Sequence, residues 1–257
     1  MDWIVSNQWF FAVIGALAVV GILGLALRKS AGPLGTALVA VAAIGIVAAV
    51  GARSIKTLVP GLGQKVPDRL HGVVGYMMGH HVLADSRGER GKVLLLFPPD
   101  RAVSKNALDT QYDFFSRVLA PQPALEVADF TLQVEPAAVN AGRISADEFE
   151  QGLAAAPDAV AYVSFAGVPA EPEKLSIFAG QTKRPLYVYD PAPSRSWVSA
   201  LRQGLIRRVI VPRPDVDLPS GEQVAGPPGE IFAKYFLSGS PETVDKLLSD
   251  LGAARPE

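Results

Sequence analysis

The chain has 257 residues, 49% of them hydrophobic and 19% charged, and its mean hydropathy of +0.24 excludes a disordered protein. Its 24 basic residues nearly balance 25 acidic ones, and the resulting net charge of −1 argues against a nucleic-acid partner. The chain has no cysteine, which excludes disulfides, thiolate metal sites and cysteine nucleophiles.

Two uncharged apolar runs open the chain, over residues 9–27 and 34–52, and a short turn with Arg28 and Lys29 separates them. A helix rises about 1.5 Å per residue, so each run is long enough to cross a hydrocarbon core roughly 30 Å thick. We therefore predict a transmembrane helical hairpin at residues 1–56, with the lipid bilayer as a partner. The expected location is the inner (cytoplasmic) membrane of a bacterial cell, where the protein would be multi-pass.

Small residues line both predicted spans. Gly15 and Gly21 lie in the first, and Ala42, Gly45 and Ala49 lie in the second, at spacings that let another helix backbone approach closely. These residues either pack within the hairpin or dock on other membrane-protein subunits. No ionisable residue lies inside either span, which argues against an ion pathway or a transporter core. We expect the hairpin to anchor or to assemble.

The basic residues near the spans give two opposing indications of orientation. The turn holds two of them, whereas four follow the second span: Arg53, Lys56, Lys65 and Arg69. This count favours the cytoplasmic face for the large C-terminal domain. The first helix alone favours the periplasmic face, because no basic residue precedes it. We predict the cytoplasmic face and keep the periplasm as the alternative.

Residues 57–90 are predicted to connect the hairpin to a folded domain through an amphipathic helix over 66–84. Gly72, Gly75 and Gly79 form a narrow face on this helix, which suits close packing or a position at the membrane surface. We expect the helix to cover the sheet of the domain that follows. Its larger apolar residues recur at helical spacing: Leu70, Val73, Val74, Met77 and Met78.

Strand and helix patterns alternate over residues 91–216. The run over 92–98 is continuously apolar, as a buried parallel strand requires. A helical pattern follows, and the alternation continues to residue 212. It predicts an α/β domain, Rossmann-like or flavodoxin-like, with a mostly parallel sheet and helices on both faces. The further strands are expected near 127–134, 159–165, 185–190 and 208–212.

Local signals locate several helices in this domain and after it. Ser145 and Glu148 have the spacing of a capping box, and Pro172 at a first-turn position predicts a helix through Phe178. Residues 217–257 are expected to form a Pro- and Gly-rich arm, one extra strand over 231–237 and a closing helix. The apolar face of that closing helix comprises Val244, Leu247, Leu248 and Leu251.

Residues from about 70 to 216 resemble one lobe of the type I periplasmic binding proteins. The resemblance lies in G-K-V-L-L-L-F-P (91–98), P-D-A-V-A-Y-V-S-F-A-G-V-P (157–169), and R-P-L-Y-V-Y-D-P (184–191) with G-L-I-R-R-V-I-V-P (204–212). It implies a Rossmann-like architecture. The family holds its ligand between two lobes, so a comparable cleft in this protein implies a second lobe.

Strong catalytic motifs are missing from the sequence. There is no phosphate loop, dinucleotide fingerprint, H-E-x-x-H motif or nucleophile elbow, so we predict no catalytic residue, no cofactor and no metal. The adjacent His80 and His81 diverge on a helix, which is poor geometry for one metal. Arg207 and Arg208 either hold a phosphate or a partner's carboxylate, or are solvated.

Open α/β folds bind ligands at the carboxyl ends of their strands. Each residue at these ends also has a structural interpretation: a helix cap for Ser104, core filling for Ser164 and a turn for Asp190. A small ligand is therefore a possibility that no motif supports. The ligand-binding candidates by position are Asp100, Ser104, Ser164, Gly167, Tyr189 and Asp190.

The sequence favours a non-catalytic, membrane-anchored accessory subunit of a multi-subunit membrane complex. In this interpretation the hairpin docks and the α/β domain contacts partners. The alternative is a membrane-tethered sensor of a small ligand, in which two copies combine their lobes. An enzyme that uses Asp100, Ser164 and Asp190 is the least favoured interpretation.

Overall fold

The computed structural model describes residues 68–253, except 101, 179–183, 193 and 220–223, and a few N-terminal residues: 20, 36 and 39–43. The chain divides into two compact units, residues 1–64 and 65–257. The predicted hairpin lies almost entirely outside the described residues, as do Gly15, Gly21, Gly45 and Ala49. Residues 39–43 are helical, and Ala42 is buried. Within the described ranges, no helix has both the length and the apolar character needed to cross a membrane.

The second unit contains a six-stranded sheet among its described residues. The strands are β1 (Gly91–Phe97), β2 (Leu125–Thr131), β3 (Ala161–Ser164), β4 (Leu186–Tyr189), β5 (Ile206–Pro212) and β6 (Phe236–Gly239). Their order in the sheet is β2-β1-β3-β4-β5-β6. The first five strands are parallel, and β6 is antiparallel to β5. An order of 2-1-3-4-5 is flavodoxin-like, which confirms the predicted α/β class with a mostly parallel sheet.

Helices cover both faces of the sheet. They are α1 (Asp68–Asp85), α2 (Lys105–Leu119), α3 (Pro136–Asn140), α4 (Ala146–Leu153), α5 (Trp197–Arg202), α6 (Pro228–Tyr235) and α7 (Val244–Ala253). One hydrophobic core lies under α1, α2 and α6, and a second lies under α3, α4, α5 and α7. The strands at the centre of the sheet are buried on both faces, which explains their continuous apolar sequence.

The glycines of α1 set its distance from α2. A Cβ at Gly72 would lie 2.9 Å from Thr110 Cγ2, and one at Gly79 would lie 2.9 Å from Val118 Cβ. A Cβ at Gly75 would overlap the backbone carbonyl oxygen of Gln111. These glycines therefore serve close helix packing. The apolar residues of α1 turn to the sheet, as predicted.

Two predicted elements differ from the structure. The helix expected from Pro172 to Phe178 is a pair of short 3-10 turns, Pro172–Lys174 and Ser176–Phe178. The strand expected over 231–237 is mostly helix α6, and only its last residues belong to β6. Pro228 at the first turn begins this helix, and Ile231 and Tyr235 lie one turn apart on its buried face.

Candidate functional site

The ligand-binding candidates lie at or just beyond the carboxyl edge of the parallel sheet. Ser164 ends β3 and Tyr189 ends β4, while Asp100 follows β1. In the strand register, Leu96 of β1 pairs with Ser164, which pairs with Val188 of β4. The parallel arrangement therefore brings these positions to one edge, as predicted, but their side chains have different surroundings.

Ser164 and Gly167 form one buried turn after β3. The Ser164 hydroxyl donates to the Gly167 carbonyl oxygen at 2.6 Å and accepts from the Ala166 N–H at 3.3 Å. Gly167 has φ +83°, a conformation that favours glycine, and its N–H donates to the Tyr189 carbonyl oxygen at 3.0 Å. The hydroxyl of Ser164 therefore bonds within the protein.

Asp190 organises the turn that follows β4. One carboxylate oxygen accepts from the Ala192 N–H at 3.1 Å, and the other accepts from Ser194 Oγ and Trp197 Nε1, both at 2.9 Å. Burial raises the pKa of Asp190 to about 6, and hydrogen bonds from Ser194, Ala192 and Trp197 oppose that rise. The carboxylate thus links the end of β4 to the start of α5.

Tyr189 and Ser104 have structural roles in the fold. The Tyr189 ring is buried in the core beneath α1 and α6, where it meets Phe236 edge to face, and burial raises its pKa. Ser104 caps α2, because its hydroxyl oxygen accepts from the Ala107 N–H at 3.3 Å.

Asp100 lines a cleft in the described part of the carboxyl edge. The cleft has a volume of about 570 Å³ and lies beyond the ends of β1 and β2. The candidates predicted from the sequence do not include the other polar residues of this cleft. The predicted end of β2 near residue 134 could have indicated them, because Gln133 and Glu135 lie there. The cleft is lined by Pro99, Asp100, Thr131, Leu132, Gln133, Val134, Glu135 and Glu148.

The polar groups of the cleft are mainly hydrogen-bond acceptors. Asp100 and Glu135 are exposed, and neither has a side-chain partner among the described residues. Glu148 accepts from Ser145 through one oxygen, in the predicted capping box. The Gln133 amide nitrogen donates to the Thr131 carbonyl oxygen at 3.1 Å, which leaves its own oxygen free to accept. Such a set suits a ligand that presents hydroxyl or ammonium donors.

The described residues include no group of His, Asp or Glu side chains suited to hold a metal ion. His80 packs edge to face against Tyr76, with ring centroids 4.4 Å apart. Burial lowers the pKa of His71 to about 4, against an opposing effect of Asp68. His81, on the same helix, lies near the start of β5 at the other edge of the sheet.

No family model matches the chain, and no curated protein matches it. Similar solved structures include a periplasmic ribose ABC transporter protein from Conexibacter woesei, at 15% identity and TM-score 0.47, over 70% of this chain and 60% of that one. GanP, a glucose-galactose binding protein from Geobacillus stearothermophilus, has 13% identity and TM-score 0.41, over 73% and 56%. A LacI transcriptional regulator from Bacteroides fragilis has 12% identity and TM-score 0.44, over 69% and 61%.

The match thus spans less than two thirds of each of these proteins. The resemblance to a type I periplasmic-binding-protein lobe, predicted from the sequence, is found again among these structures.

Proposed function

We propose that this chain is a membrane-tethered protein that binds a small, hydroxyl-bearing ligand at the carboxyl edge of its sheet. The observation that carries the proposal is the cleft of about 570 Å³ beside the ends of β1 and β2, with Asp100 and Glu135 unpartnered among the described residues. The strand order changes sense between β1 and β3, where open α/β sheets commonly bind ligands, and the cleft borders this point on the β1 side.

The type of ligand follows from the polar groups of the cleft. Its carboxylate and amide oxygens accept hydrogen bonds, and no Lys or Arg of the described residues lines it. An anionic ligand would be repelled by Asp100, Glu135 and Glu148, whereas hydroxyl groups can donate to them without a charge penalty. The cleft is open on one side. A second copy of the chain, acting as the second lobe, would complete the enclosure that ligand binding favours.

The proposal is tested by the melting of the full chain in mild detergent with ribose, glucose and galactose, sugars that similar structures are named for. A ligand that binds only the folded protein raises its Tm in a concentration-dependent manner. We expect Asp100→Asn to weaken this shift about tenfold in ligand concentration. The matched control is Asp109→Asn, at an exposed position of α2. An absent shift, or an equal shift in both variants, contradicts the proposal.

The tether is part of the same proposal. The two predicted spans at 9–27 and 34–52 would hold the domain at the inner membrane, with the basic residues after the second span favouring the cytoplasmic face. A fluorescent protein or a periplasmic phosphatase fused after Glu257 tests the side. Fluorescence without phosphatase activity supports the cytoplasmic face, and the reverse supports a periplasmic sensor.

A second candidate function is that of a non-catalytic accessory subunit. It is favoured by the internal bonding of Ser164 and Asp190, which makes much of the carboxyl edge a closed structural surface. Here the hairpin would dock on other membrane subunits through its small residues. Gly45→Leu should then reduce co-purification of partners in mild detergent. This function would be favoured over the first if partner subunits co-purify without added ligand and the sugars leave the Tm of the chain unchanged.

A further inference from the structure

Two residue pairs that are far apart in the sequence, His80-His81 and Arg207-Arg208, lie at the amino edge of the sheet, opposite the cleft. Helix α1 ends at this edge with Asp85, and β5 begins there with Ile206. The function proposed above uses neither pair.

A β-bulge at the start of β5 turns both arginines toward α1. Leu186 of β4 pairs with Ile206, but the next residue, Tyr187, pairs with Arg208, so Arg207 is an extra residue in β5. Ile206 and Val209 both point into the core under α4 and α5. The two arginines between them therefore share the opposite face. In a regular strand, one of the two would point into the apolar core.

Asp85 neutralises one of these arginines. Its Oδ2 atom accepts from Arg207 Nε at 3.2 Å and from the Tyr187 hydroxyl at 3.1 Å. Burial and the Asp85 charge raise the pKa of Tyr187, so its hydroxyl stays a donor. Arg208, the register partner of Tyr187, lies beside it on the same face. Arg208 is half-buried and has no ion pair or side-chain hydrogen bond among the described residues.

His81 is a second group without a partner at this edge. Its Nε2 atom is buried, and nothing in the described part of the chain forms a hydrogen bond with it. Burial, followed by the charge of Arg208, lowers the pKa of His81 to about 4, and the nearby Asp85 only partly opposes this. The charge of Arg208 thus acts on the His81 ring, which is neutral at pH 7.

We propose that Arg208 and His81 form a binding site for a small tetrahedral oxyanion, phosphate or a phosphate monoester. A guanidinium can donate two parallel N–H groups to two oxygens of such an anion, and an Nε2–H of the neutral imidazole can donate to a third. The anion would supply the negative charge that Arg208 lacks and a partner for the buried Nε2. A flat carboxylate offers only two oxygens and satisfies this set less well.

The half-buried guanidinium of Arg208 forms the side of the site that faces solvent, and other charges lie nearby. The exposed Glu242 has its pKa lowered by a hydrogen bond from Ser240 and, to a smaller extent, by the charges of Arg207 and Arg208. The positive potential of the arginines therefore extends to the surface. Glu242 is an exposed competitor for Arg208, and Glu89 is an exposed carboxylate whose charge acts on Tyr187. Replacement of Glu242 by Gln should strengthen phosphate binding about twofold, since one competing charge is removed.

Equilibrium dialysis of the full chain in mild detergent against radiolabelled inorganic phosphate, at constant ionic strength, tests the site. We expect one saturable phosphate per chain and acetate binding at least about tenfold weaker. Arg208→Gln should weaken phosphate binding about tenfold or more. The matched control is Arg202→Gln, because Arg202 is an exposed arginine paired with Asp245 at 2.7 Å. Its phosphate affinity should equal that of the unmodified chain.

The outcomes decide the proposal in either direction. Loss of phosphate binding in Arg208→Gln alone supports it. Absent saturable binding, an equal effect of both substitutions, or equal affinity for acetate overturns it. Should Arg208→Gln fail to melt cooperatively, Arg208→Lys keeps the charge and replaces it as the decisive variant. A lysine cannot donate in the bidentate geometry, so we expect a three- to tenfold loss, roughly, of phosphate affinity, and an unchanged phosphate affinity would overturn the proposal.

Discussion

The two edges of the sheet differ in how their polar side chains are used. At the carboxyl edge, the Asp190 carboxylate accepts three hydrogen bonds and the Ser164 hydroxyl closes a buried turn. At the amino edge, Arg208 and the Nε2 atom of His81 lack partners among the described residues. At the carboxyl edge, where open α/β folds usually bind ligands, these polar groups therefore form hydrogen bonds within their own loops. At the amino edge, Arg208 and His81 remain available to a ligand.

The difference has a physical origin in the connections at each edge. Loops after the strands must bond their own backbone groups when buried, and short polar residues such as Asp190 and Ser164 do this locally. At the amino edge, a β-bulge places two long cationic side chains against one carboxylate, Asp85. Because two arginines lie near this one carboxylate, the charge of Arg208 has no partner among the described residues.

The largest expected effect comes from the glycine face that positions α1 over the amino edge. A Cβ at Gly75 would overlap the carbonyl oxygen of Gln111, so Gly75→Ala must push α1 away from α2. We expect a loss of about 3 kcal/mol of unfolding free energy, even though alanine favours a helix by about 1 kcal/mol over glycine. Urea unfolding measures it.

The control for that substitution is Gly229→Ala in α6, where a Cβ would meet no atom within 4 Å. It should be neutral or stabilising by up to about 1 kcal/mol. Equal destabilisation by both substitutions would show that α1 does not depend on close packing. Close packing of α1 could then not explain how His81 and Asp85 are positioned at the amino edge.

Much of this fold can be predicted from the sequence, because its signals are local. Ser104 does cap a helix, and Ser145 with Glu148 does form a capping box. The runs of apolar residues mark the parallel strands. The segment 231–237 differs from its predicted strand because six apolar residues in seven fit either a strand or a helix, and the preceding prolines favour a helix.

The site is less predictable, because it depends on contacts between distant residues. Position in the sequence indicates that Asp190 lies at the carboxyl edge, but not that Trp197 and Ser194 occupy its oxygens. The bulge at Arg207 has no sequence signature. Only the pairing of β4 with β5 reveals that Arg207 and Arg208 share a face.

The second largest effect on stability is expected at the carboxyl edge, where Asp190 accepts hydrogen bonds from its own loop. Trp197→Phe removes a buried ring segment and the Nε1–H donor, and should cost about 2 kcal/mol at pH 7. The hydrogen bond favours the charged carboxylate, so its loss raises the pKa of Asp190 above its present value of about 6. Below pH 5 the carboxyl is largely neutral in both proteins, so the difference should shrink by about 1 kcal/mol.

Urea unfolding at pH 7 and pH 4.5 measures this change. Phe149→Leu serves as a control, since the Phe149 ring is fully buried on the same side of the sheet and cannot form a conventional hydrogen bond. Its destabilisation relative to the unmodified chain should not vary with pH. A Trp197→Phe difference that is equally constant would mean that Asp190 does not titrate between these pH values.

A smaller pH effect is expected from His81 at the amino edge. Its pKa is about 4 in the folded chain and 6.5 as a model value. As the pH falls below 6.5, the unfolded chain binds a proton first, so this group lowers the unfolding free energy between pH 6.5 and 4. His81→Gln should reduce the loss between pH 7 and pH 5.5 by about 1 kcal/mol in phosphate-free buffer. An unchanged loss in His81→Gln would contradict this expectation.

The smallest effect on stability is expected from Asp85→Asn, which alters the balance of charge at the amino edge. Asparagine can still accept from the Tyr187 hydroxyl but loses the ion pair with Arg207, a guanidinium that is 51% exposed. We expect a loss of only about 0.5 kcal/mol by urea unfolding, because water screens the pair. The same change leaves two arginines without a carboxylate, so phosphate affinity should rise about threefold. Asp245→Asn, which releases the exposed Arg202, should leave phosphate affinity unaltered. Weaker phosphate binding in Asp85→Asn would mean that Asp85 holds the arginines in place, and that a surplus of positive charge is not what sets the amino edge apart.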